Sequence, residues 1–471
     1  MVFSSLLFTC LFMPVVFILH TAIKNLKIRN GLLLIASLLF YAYGEPGYIF
    51  LMLVSALLNY IFALLISKQP KKIFLVLAVV ANLSLLGVFK YAGFLLTTVN
   101  DIFNVSLPVP AIALPIGISF FTFQALSYVI DVYRKDVAAQ KNYAKLLLYI
   151  SFFPQLIAGP IVRYKDIALE IDNRSVNLNN ITFGLRRFIA GLGKKVLISN
   201  TMALAVDFVF GIDTGELNIL TAWIGAIAYI MQIYFDFSGY SDMAIGLGRM
   251  FGFHFKENFN YPYVATTIQD FWRRWHISLS TFFRDYVYIP LGGNRKGKVR
   301  TVINKITVFF LTGLWHGANW TFIVWGLFHG FFLLLEEFIP QIKKLPKIVL
   351  HIYTLVTVTV GFVVFRADSI SQGIGYIAKM FSGFDFSAEA MSFAIQTLKP
   401  FFIVMLIAAI IACGPIRKFA DKIRTLENAE NLSKSDNVLQ IISFVLAFVV
   451  LLWCLIRLAG GSYNPFIYFR F

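Results

Sequence analysis

The chain has 471 residues, of which 59% are hydrophobic, 17% are aromatic and only 14% are charged. No soluble domain of this size needs so much apolar surface, so the composition excludes an ordinary water-soluble enzyme and indicates a membrane protein. The net charge of +17 would suit a nucleic-acid-binding protein. The basic residues, however, occur in clusters between apolar runs. That pattern is the one that orients membrane proteins, and it argues against nucleic acid as a partner.

Apolar runs recur along the whole chain, and we predict that each of them enters the membrane. They are 1–19, 31–43, 47–67, 73–94, 112–133, 146–161, 188–210, 219–246, 303–315, 320–335, 348–365, 400–413 and 438–458. Several are too short to cross a hydrocarbon core of roughly 30 Å at a rise of about 1.5 Å per residue. We expect those runs to be tilted, broken or re-entrant helices surrounded by protein or water. The predicted fold class is therefore an all-α polytopic membrane protein, forming a single integral domain over 1–471.

The basic clusters give an expected topology. They are 134–145, 163–187, 294–300, 342–347 and 417–424, and we place them on the cytosolic side. Both termini are then expected to be extracytoplasmic. The first apolar run is expected to remain in the protein as a membrane span, because it lacks the features of a cleaved signal peptide. The three cysteines, Cys10, Cys413 and Cys454, share no metal-ligand spacing and are predicted to be small core residues.

The middle of the chain, about 110–330, differs from the flanking spans 1–109 and 331–471. Its apolar runs are interrupted by proline, glycine, glutamine and aspartate, as around Gln155, Asp236 and Asp242. Helix breakers inside a membrane free backbone groups that need new partners. Buried carboxylates need partners too, because an isolated charge in hydrocarbon is costly. We therefore expect any chemistry to lie in this middle region, predicted as the catalytic core.

One segment of this region, 267–284, is predicted to be a single amphipathic helix. On such a helix Trp272, Trp275, His276 and Leu279 share one face. The cations Arg273 and Arg274 and the carboxylate of Asp270 then point elsewhere. A membrane-surface helix anchored by tryptophans would explain the pattern as well. Such an anchor has no need of a histidine on its aromatic face.

A second histidine, His316, lies about mid-way through the apolar run 303–339. An imidazole can take a proton from a hydroxyl group and return it near neutral pH. Gly317 allows a close approach of backbone, and Trp320 is expected one helical turn beyond His316, where it would wall the site with Asn319 nearby. The alternative is a histidine that is satisfied by packing between helices.

Basic residues follow the first histidine segment. Arg284, Arg295, Lys296, Lys298 and Arg300 are candidates for binding the phosphates of a cytosolic donor, or they are cytosolic residues that only fix the topology. The sequence has no nucleophile elbow, phosphate-binding loop or dinucleotide motif.

The segments 153–160, 260–262 with 269–276, and 314–320 resemble the motif regions of the membrane-bound O-acyltransferase superfamily. They most resemble its bacterial branch of alginate O-acetyltransferases and teichoic-acid D-alanyl transfer proteins. The resemblance implies a ring of helices around a thin centre, with funnels open to both sides. It also implies that His316 is the catalytic histidine and His276 the second one.

The function implied is transfer of an acyl group, with acetyl favoured, from a cytosolic thioester such as acetyl-CoA or an acyl-carrier thioester. The acceptor would be a hydroxyl of an extracytoplasmic polysaccharide, reached through a partner protein that modifies the glycan. Donor or substrate contacts are assigned to Trp272, Trp275, Arg273, Arg274, Asn319, Trp320, Gln155, Asp236 and Tyr468. No bound cofactor or metal is required. The alternative is a proton-coupled transporter or flippase for a glycan precursor, in which His316, Asp236 and Asp242 form a proton relay.

The last eight residues of the sequence, 464–471, are rich in aromatic side chains. They either form an interfacial aromatic belt or fold back to the acceptor side of the site, where Tyr468 would reach toward His316 and carry the acyl group transiently. If Tyr468 is such a carrier, Tyr468→Phe should abolish acylation of the glycan, because it removes only the hydroxyl oxygen and keeps the packing. Radiolabelled acyl transfer in membranes measures this. Normal glycan acylation by the variant excludes a carrier role and leaves anchoring or docking.

Overall fold

The computed structural model describes residues 1–414, 422, 433–461, 463, 464 and 467. These residues form helices and contain no β-strand, as the composition predicts. The α-helices are α1 (Met13–Ala22), α2 (Leu26–Gly44), α3 (Ile49–Lys68), α4 (Lys72–Leu86), α5 (Ala92–Phe103), α6 (Ile118–Tyr133), α7 (Tyr143–Ser151), α8 (Phe153–Leu156), α9 (Tyr164–Asp172), α10 (Leu178–Gly193), α11 (Asn200–Phe210), α12 (Ile219–Met250), α13 (Ile268–Arg274), α14 (Ile277–Phe283), α15 (Lys298–His316), α16 (Trp320–Phe338), α17 (Lys347–Arg366), α18 (Ile370–Ser382), α19 (Ala388–Leu398), α20 (Phe402–Ala412) and α21 (Lys434–Ala459).

Helical segments that are wider or tighter than an α-helix interrupt or extend several of these helices. The π-helical segments are Leu7–Phe12, Gly87–Tyr91, Lys194–Ser199 and Arg284–Tyr288, and the 3₁₀ segments are Pro262–Val264 and Pro340–Lys344. A π-helical turn inserts a residue into the hydrogen-bond ladder and changes the direction in which the following side chains point. Lys194–Ser199 is the segment that carries the buried cation Lys195.

Eight helices in the described residues are long and apolar enough to cross a membrane, or up to nine if the bent pair α19 and α20 is one span. The prediction of a multi-pass membrane protein is confirmed. The expectation of broken runs is confirmed as well: 146–161 divides into α7 and α8, and α19 and α20 meet at 64°. Proline at the start of α8 explains the first break, because Pro154 has no backbone N–H to continue the preceding helix.

The described chain divides into two compact units. Unit 1 comprises Met1–Phe188 and Ser241–Lys256, and unit 2 comprises Ile189–Tyr240 and Glu257–Phe471. Two of the three boundaries fall within α10 and α12 and the third lies between Lys256 and Glu257, so neither unit is one continuous piece of sequence. The motif histidines His276 and His316 both belong to unit 2, whereas Gln155 and Asp242 belong to unit 1.

Within unit 1, polar side chains join helices whose outer faces are apolar. Asn59 on α3 and Asn82 on α4 exchange two hydrogen bonds, of 3.0 and 2.8 Å, through their amides. Asp242 forms an ion pair with Arg187 at 2.5 Å. The prediction that this buried carboxylate has a partner is therefore confirmed. Hydrogen bonds between side chains of neighbouring helices replace the hydrogen bonds that lipid cannot supply.

Within unit 2, glycines bring α15 and α16 into close contact. A Cβ added at Gly313 would lie closer than 3.0 Å to the backbone of Phe322, and one added at Gly326 would do the same to the carbonyl oxygen of Phe309. Helices in membranes associate through small residues that let the backbones approach. The resulting hairpin carries His316 at its turn.

Two expectations from the sequence are wrong. The segment 267–284 is no single helix: α13 ends at Arg274 and α14 begins at Ile277. The cysteines do not all lie in the core, since Cys454 is buried but Cys10 and Cys413 are exposed. An apolar run reveals that a residue faces lipid or protein but does not distinguish the two.

The glycine contact between α15 and α16 predicts a position-specific loss of stability. Gly326→Ala should lower the stability by about 1–3 kcal/mol, because the added methyl group forces the hairpin apart. Gly31→Ala on α2 is the matched control: no heavy atom lies within 4 Å of its Cβ position. It should leave the stability unchanged or raise it by about 0.5–1 kcal/mol. Thermal unfolding of the purified variants in detergent compares them, and equal melting temperatures would contradict the packing argument.

Candidate active site

His316 is the last residue of α15, where the chain turns toward α16. Gly317 takes an extended conformation, and Asn319 caps the next helix by accepting a hydrogen bond of 3.0 Å from the Thr321 backbone N–H. A side chain at residue 317 would collide with the ring of Phe322, so the predicted close approach at Gly317 is confirmed. The expectation for Trp320 is wrong, because this residue begins α16 and does not continue the helix of His316. Its side chain is 47% exposed.

His276 lies at the break between α13 and α14, in the left-handed conformation (φ 44°, ψ 55°). This conformation costs a non-glycine residue roughly 1–2 kcal/mol, so it persists only where other contacts hold it. Those contacts come from the segment before α13. The Ile277 N–H donates to the carbonyl oxygen of Asn258 (2.9 Å), and the Asn260 N–H donates to that of Arg274 (2.9 Å). The break replaces the helix that periodicity predicts.

The start of α13 is fixed by a carboxylate from another helix. Glu336 on α16 is buried and accepts hydrogen bonds from the backbone N–H groups of Ile268 (2.6 Å) and Gln269 (3.2 Å). A carboxylate at a helix N-terminus satisfies orphan donors and the helix dipole together. Thr267 caps the same turn through the Asp270 N–H. The segment leading to His276 is thus tied to the helix that follows His316.

The break and the turn bring the two imidazoles together. Their ring centres are 6.4 Å apart. Trp315 packs at 5.7 Å from the ring of His276 and at 5.0 Å from that of His316. Trp325 and Phe365 stand edge-on to His316 at 5.0 and 5.2 Å. Trp315 and Trp325 are therefore tryptophan rings that pack directly against His316.

A cavity of about 10 Å³ adjoins His316. Its lining residues are Ile233, Phe237, Trp275, His316, Phe362, Phe365 and Ile467. This volume is about what one water-sized group occupies. His316 supplies the imidazole of this otherwise apolar and aromatic lining, which suits a proton transfer carried out away from bulk water.

A buried ion pair lies beside the same cavity. Lys195 and Asp236 are paired and almost fully buried. The second carboxylate oxygen of Asp236 accepts a hydrogen bond of 3.0 Å from the backbone N–H of Ile467, a cavity-lining residue. Asp236 therefore fixes the main chain near the carboxyl terminus at the cavity wall.

The other predicted residues have mixed outcomes. Trp275 lines the cavity, whereas Trp272 packs against Phe309 and Trp325. Arg273 is exposed, and Arg274 pairs with Asp270 at 2.9 Å. The amide of Gln155, in unit 1, donates to the carbonyl oxygen of Tyr149 at 2.5 Å. Tyr468 lies outside the described residues, as does the basic cluster 417–424 apart from Lys422.

Sequence reasoning missed four residues: Lys195, Asn258, Glu336 and His329. Lys195, Glu336 and His329 are ionisable residues inside apolar runs, a signal that could have found them. His329 is fully buried and packs between Trp272 (5.3 Å) and Trp325 (5.2 Å). No sequence signal marks Asn258, because only the fold brings its side chain to His276.

Comparison with known proteins agrees with this geometry. The profile of the MBOAT family, membrane-bound O-acyltransferases, matches residues 47–370, which contain both histidines. The chain belongs to the membrane-bound O-acyltransferase family. This MBOAT chain is 39% identical over 494 residues to a probable alginate O-acetylase of Pseudomonas putida, with 100% of each chain covered.

Other relatives of this MBOAT protein modify different molecules. A peptidoglycan O-acetyltransferase of Helicobacter pylori is 39% identical over 420 residues, covering 81% of this chain and 80% of the relative. A teichoic acid D-alanyltransferase of Bacillus subtilis is 30% identical over 243 residues, covering 49% of this chain and 61% of the relative. The resemblance stated from the motifs is confirmed, and with it the coarse prediction of a membrane-bound O-acyltransferase.

The Lys195–Asp236 pair predicts strong coupling between two substitutions. Lys195→Met alone and Asp236→Leu alone should each destabilise the protein by about 3–5 kcal/mol, because each removes one charge of a buried ion pair and leaves the other beside an apolar side chain. The double variant Lys195→Met, Asp236→Leu should lose much less stability than the sum of the two single changes, and what it does lose should reflect the Ile467 N–H left without its acceptor. Thermal unfolding in detergent measures the stability of each variant. Simple addition of the two single effects would show that the pair is not the buried unit described here.

Proposed function

We propose that this protein moves a short acyl group, with acetyl favoured, from a cytosolic thioester to a hydroxyl of an extracytoplasmic polysaccharide. The observation that carries the proposal is the buried His316 beside a small apolar cavity, within the family-matched region. The thioester donor is charged and confined to the cytosol, whereas the glycan lies outside. Passing only the acyl group through the membrane avoids moving either large substrate.

In this proposal His316 is the general base. It takes the proton of the attacking hydroxyl while the oxygen forms a bond to the thioester carbonyl carbon. The carbon–sulfur bond then breaks, and the proton on His316 goes to the leaving thiolate. General base catalysis of this kind contributes about 10²–10⁴-fold to a rate. The aromatic rings around His316 exclude water, which would otherwise compete as an acceptor.

The size of the cavity supports a short acyl group. The space beside His316, among Ile233, Phe362 and Phe365, is about 10 Å³, so a short acyl group needs less movement of these side chains than a long alkyl chain does. The names of the relatives support the acceptor class, since they act on alginate, peptidoglycan and teichoic acid. We therefore propose an envelope polysaccharide as the final acceptor and the bacterial inner membrane as the location.

The donor side is proposed to lie at the basic loop before α15. Arg295 and Lys296 in this loop, Lys298 and Arg300 in the first turn of α15, and Arg284 in the preceding π-helical segment are exposed, and Arg284 contacts Asp285 at 2.8 Å. Exposed cations attract the phosphates of a coenzyme A-type donor and remain well hydrated when no donor is bound. The same residues would hold this loop on the cytosolic side.

The acceptor side is proposed to involve the carboxyl terminus and a partner protein that modifies the glycan. Ile467 lies in the cavity wall, with its backbone held by Asp236. The next residue in the sequence is Tyr468, and we propose that its hydroxyl carries the acyl group transiently. Relay through a carrier hydroxyl would let the polysaccharide stay outside the membrane.

A transporter or flippase fits the structure less well. Its proposed relay needs Asp236 and Asp242 to exchange protons, but each carboxylate is paired with a cation, Lys195 or Arg187. Purified protein in detergent separates the two functions. An acyltransferase should hydrolyse or exchange acetyl-CoA there, whereas a transporter needs two compartments and no thioester.

The proposed base predicts the effect of its removal. His316→Ala should lower the rate of acyl transfer by about 10²–10⁴-fold, while its thermal stability stays near that of the control. His20→Ala is the matched control, because His20 is also fully buried and packs on an aromatic ring, that of Phe251 at 5.1 Å. It should keep the wild-type rate. A folded His316→Ala variant that transfers acetyl at the wild-type rate would remove His316 from the mechanism.

A further inference from the structure

The buried amide of Asn258 fixes its own orientation. Its side-chain oxygen accepts hydrogen bonds from the backbone N–H of Ser278 (3.1 Å) and from the hydroxyl of the same residue (2.8 Å). A backbone N–H can only donate, so the atom that faces it must be the carbonyl oxygen of the amide and cannot be its nitrogen. The amide cannot be turned over without losing the bond that caps the start of α14.

The same oxygen lies 3.2 Å from Nδ1 of His276. Because an amide oxygen accepts and never donates, Nδ1 must carry the hydrogen in this contact. The hydroxyl oxygen of Ser278 is 3.5 Å from Nδ1, and its hydrogen is already directed to Asn258. In a neutral imidazole with Nδ1 protonated, Nε2 keeps a lone pair and accepts.

Nε2 of His276 has no hydrogen-bond partner among the described residues, although the whole side chain is buried. The ring packs edge-on against Phe237 at 4.5 Å. A buried polar atom without a partner is costly, and it is found where a ligand or water completes the site. The conformational strain at this residue agrees with a functional position.

The neighbouring imidazole of His316 is too distant for a direct bond to Nε2. With ring centres 6.4 Å apart, the closest nitrogens are separated by roughly 4 Å or more, beyond the limit of a hydrogen bond. A gap of this size accommodates one bridging O–H group.

We propose that Asn258 is a positioning residue that holds His276 in the Nδ1–H tautomer, so that His276 acts in the site as a hydrogen-bond acceptor. His276 then accepts a hydrogen bond from an O–H group placed beside His316, and it donates none to the oxygen of the thioester. This inference rests on the proposed acyl transfer for its role, but the tautomer itself depends only on the fold.

The tautomer can be measured without any donor or acceptor. The chain has six histidines, so protein labelled with ¹⁵N-histidine and reconstituted in bilayers gives few signals by solid-state NMR. His276→Gln identifies the signal pair that belongs to His276. We expect a protonated Nδ1 and an unprotonated Nε2 at neutral pH. The opposite tautomer, or a doubly protonated ring, overturns the proposal.

Substitutions at residue 258 test whether Asn258 determines the tautomer of His276. Asn258→Leu removes the acceptor at similar volume, so His276 should lose the Nδ1–H signal and kcat should fall by about ten-fold or more with KM little changed. Asn258→Asp keeps an acceptor oxygen and should retain the Nδ1 proton. Ser280→Ala on α14 is the control, because the hydroxyl of Ser280 makes one hydrogen bond in the described structure, to the backbone carbonyl oxygen of Trp272 (3.4 Å). It should keep both the tautomer and the rate.

The outcomes separate this proposal from the function on which it rests. An unchanged Nδ1–H signal in Asn258→Leu overturns the role of Asn258, whatever the activity. If Asn258→Leu does not fold, the spectrum of the wild-type protein still decides the tautomer. A wild-type protein with the expected tautomer but no acyl transfer would retain the inference about His276 and reject the proposed reaction.

Discussion

A hydrocarbon interior offers no hydrogen-bond partner, so each polar group that this chain buries must be held by another part of the chain. That constraint organises the site. The carboxylate of Glu336 satisfies the first N–H groups of α13, and Asp236 is held by Lys195 and by the backbone of Ile467. Without these partners the breaks in the helices would expose backbone groups at a cost of several kcal/mol each.

The same constraint explains why the histidine segment is broken. A continuous helix would satisfy its own backbone hydrogen bonds, but His276 would then have the ordinary helical backbone conformation. The chain instead breaks at residues 275 and 276, and the backbone and amide of Asn258 replace the lost hydrogen bonds. The strained backbone is thereby stabilised by a neighbouring segment, which is how functional sites retain conformations of this kind.

Close packing completes the site from the other side. Gly313 and Gly326 allow the backbones of α15 and α16 to pack in direct contact. Gly317 leaves room for the ring of Phe322, which a side chain at this position would meet. These contacts place His316 among aromatic side chains and leave little free volume. Tight packing and a paired charge therefore surround the small apolar cavity beside His316.

Much of this could be predicted from the sequence. Composition determined that the chain is an all-α membrane protein, because 59% hydrophobic residues cannot be buried in a soluble domain of this size. The motifs identified the family and both histidines, since ionisable residues in apolar runs are rare and tied to function. The need of Asp236 and Asp242 for cationic partners also followed from the cost of burying a charge.

Only the tertiary structure decided which side chains contact His276 and His316. Periodicity predicted a continuous helix through His276, and it failed because Asn258, 18 residues earlier, caps a break that local propensity does not signal. Trp320 was predicted one helical turn beyond His316, but the chain turns at Gly317 and Trp320 begins the next helix, from which Trp325 packs against His316. Sequence spacing describes neighbours on one helix, whereas hydrogen bonds and ring contacts between helices depend on how distant segments pack, and only the folded chain specifies that.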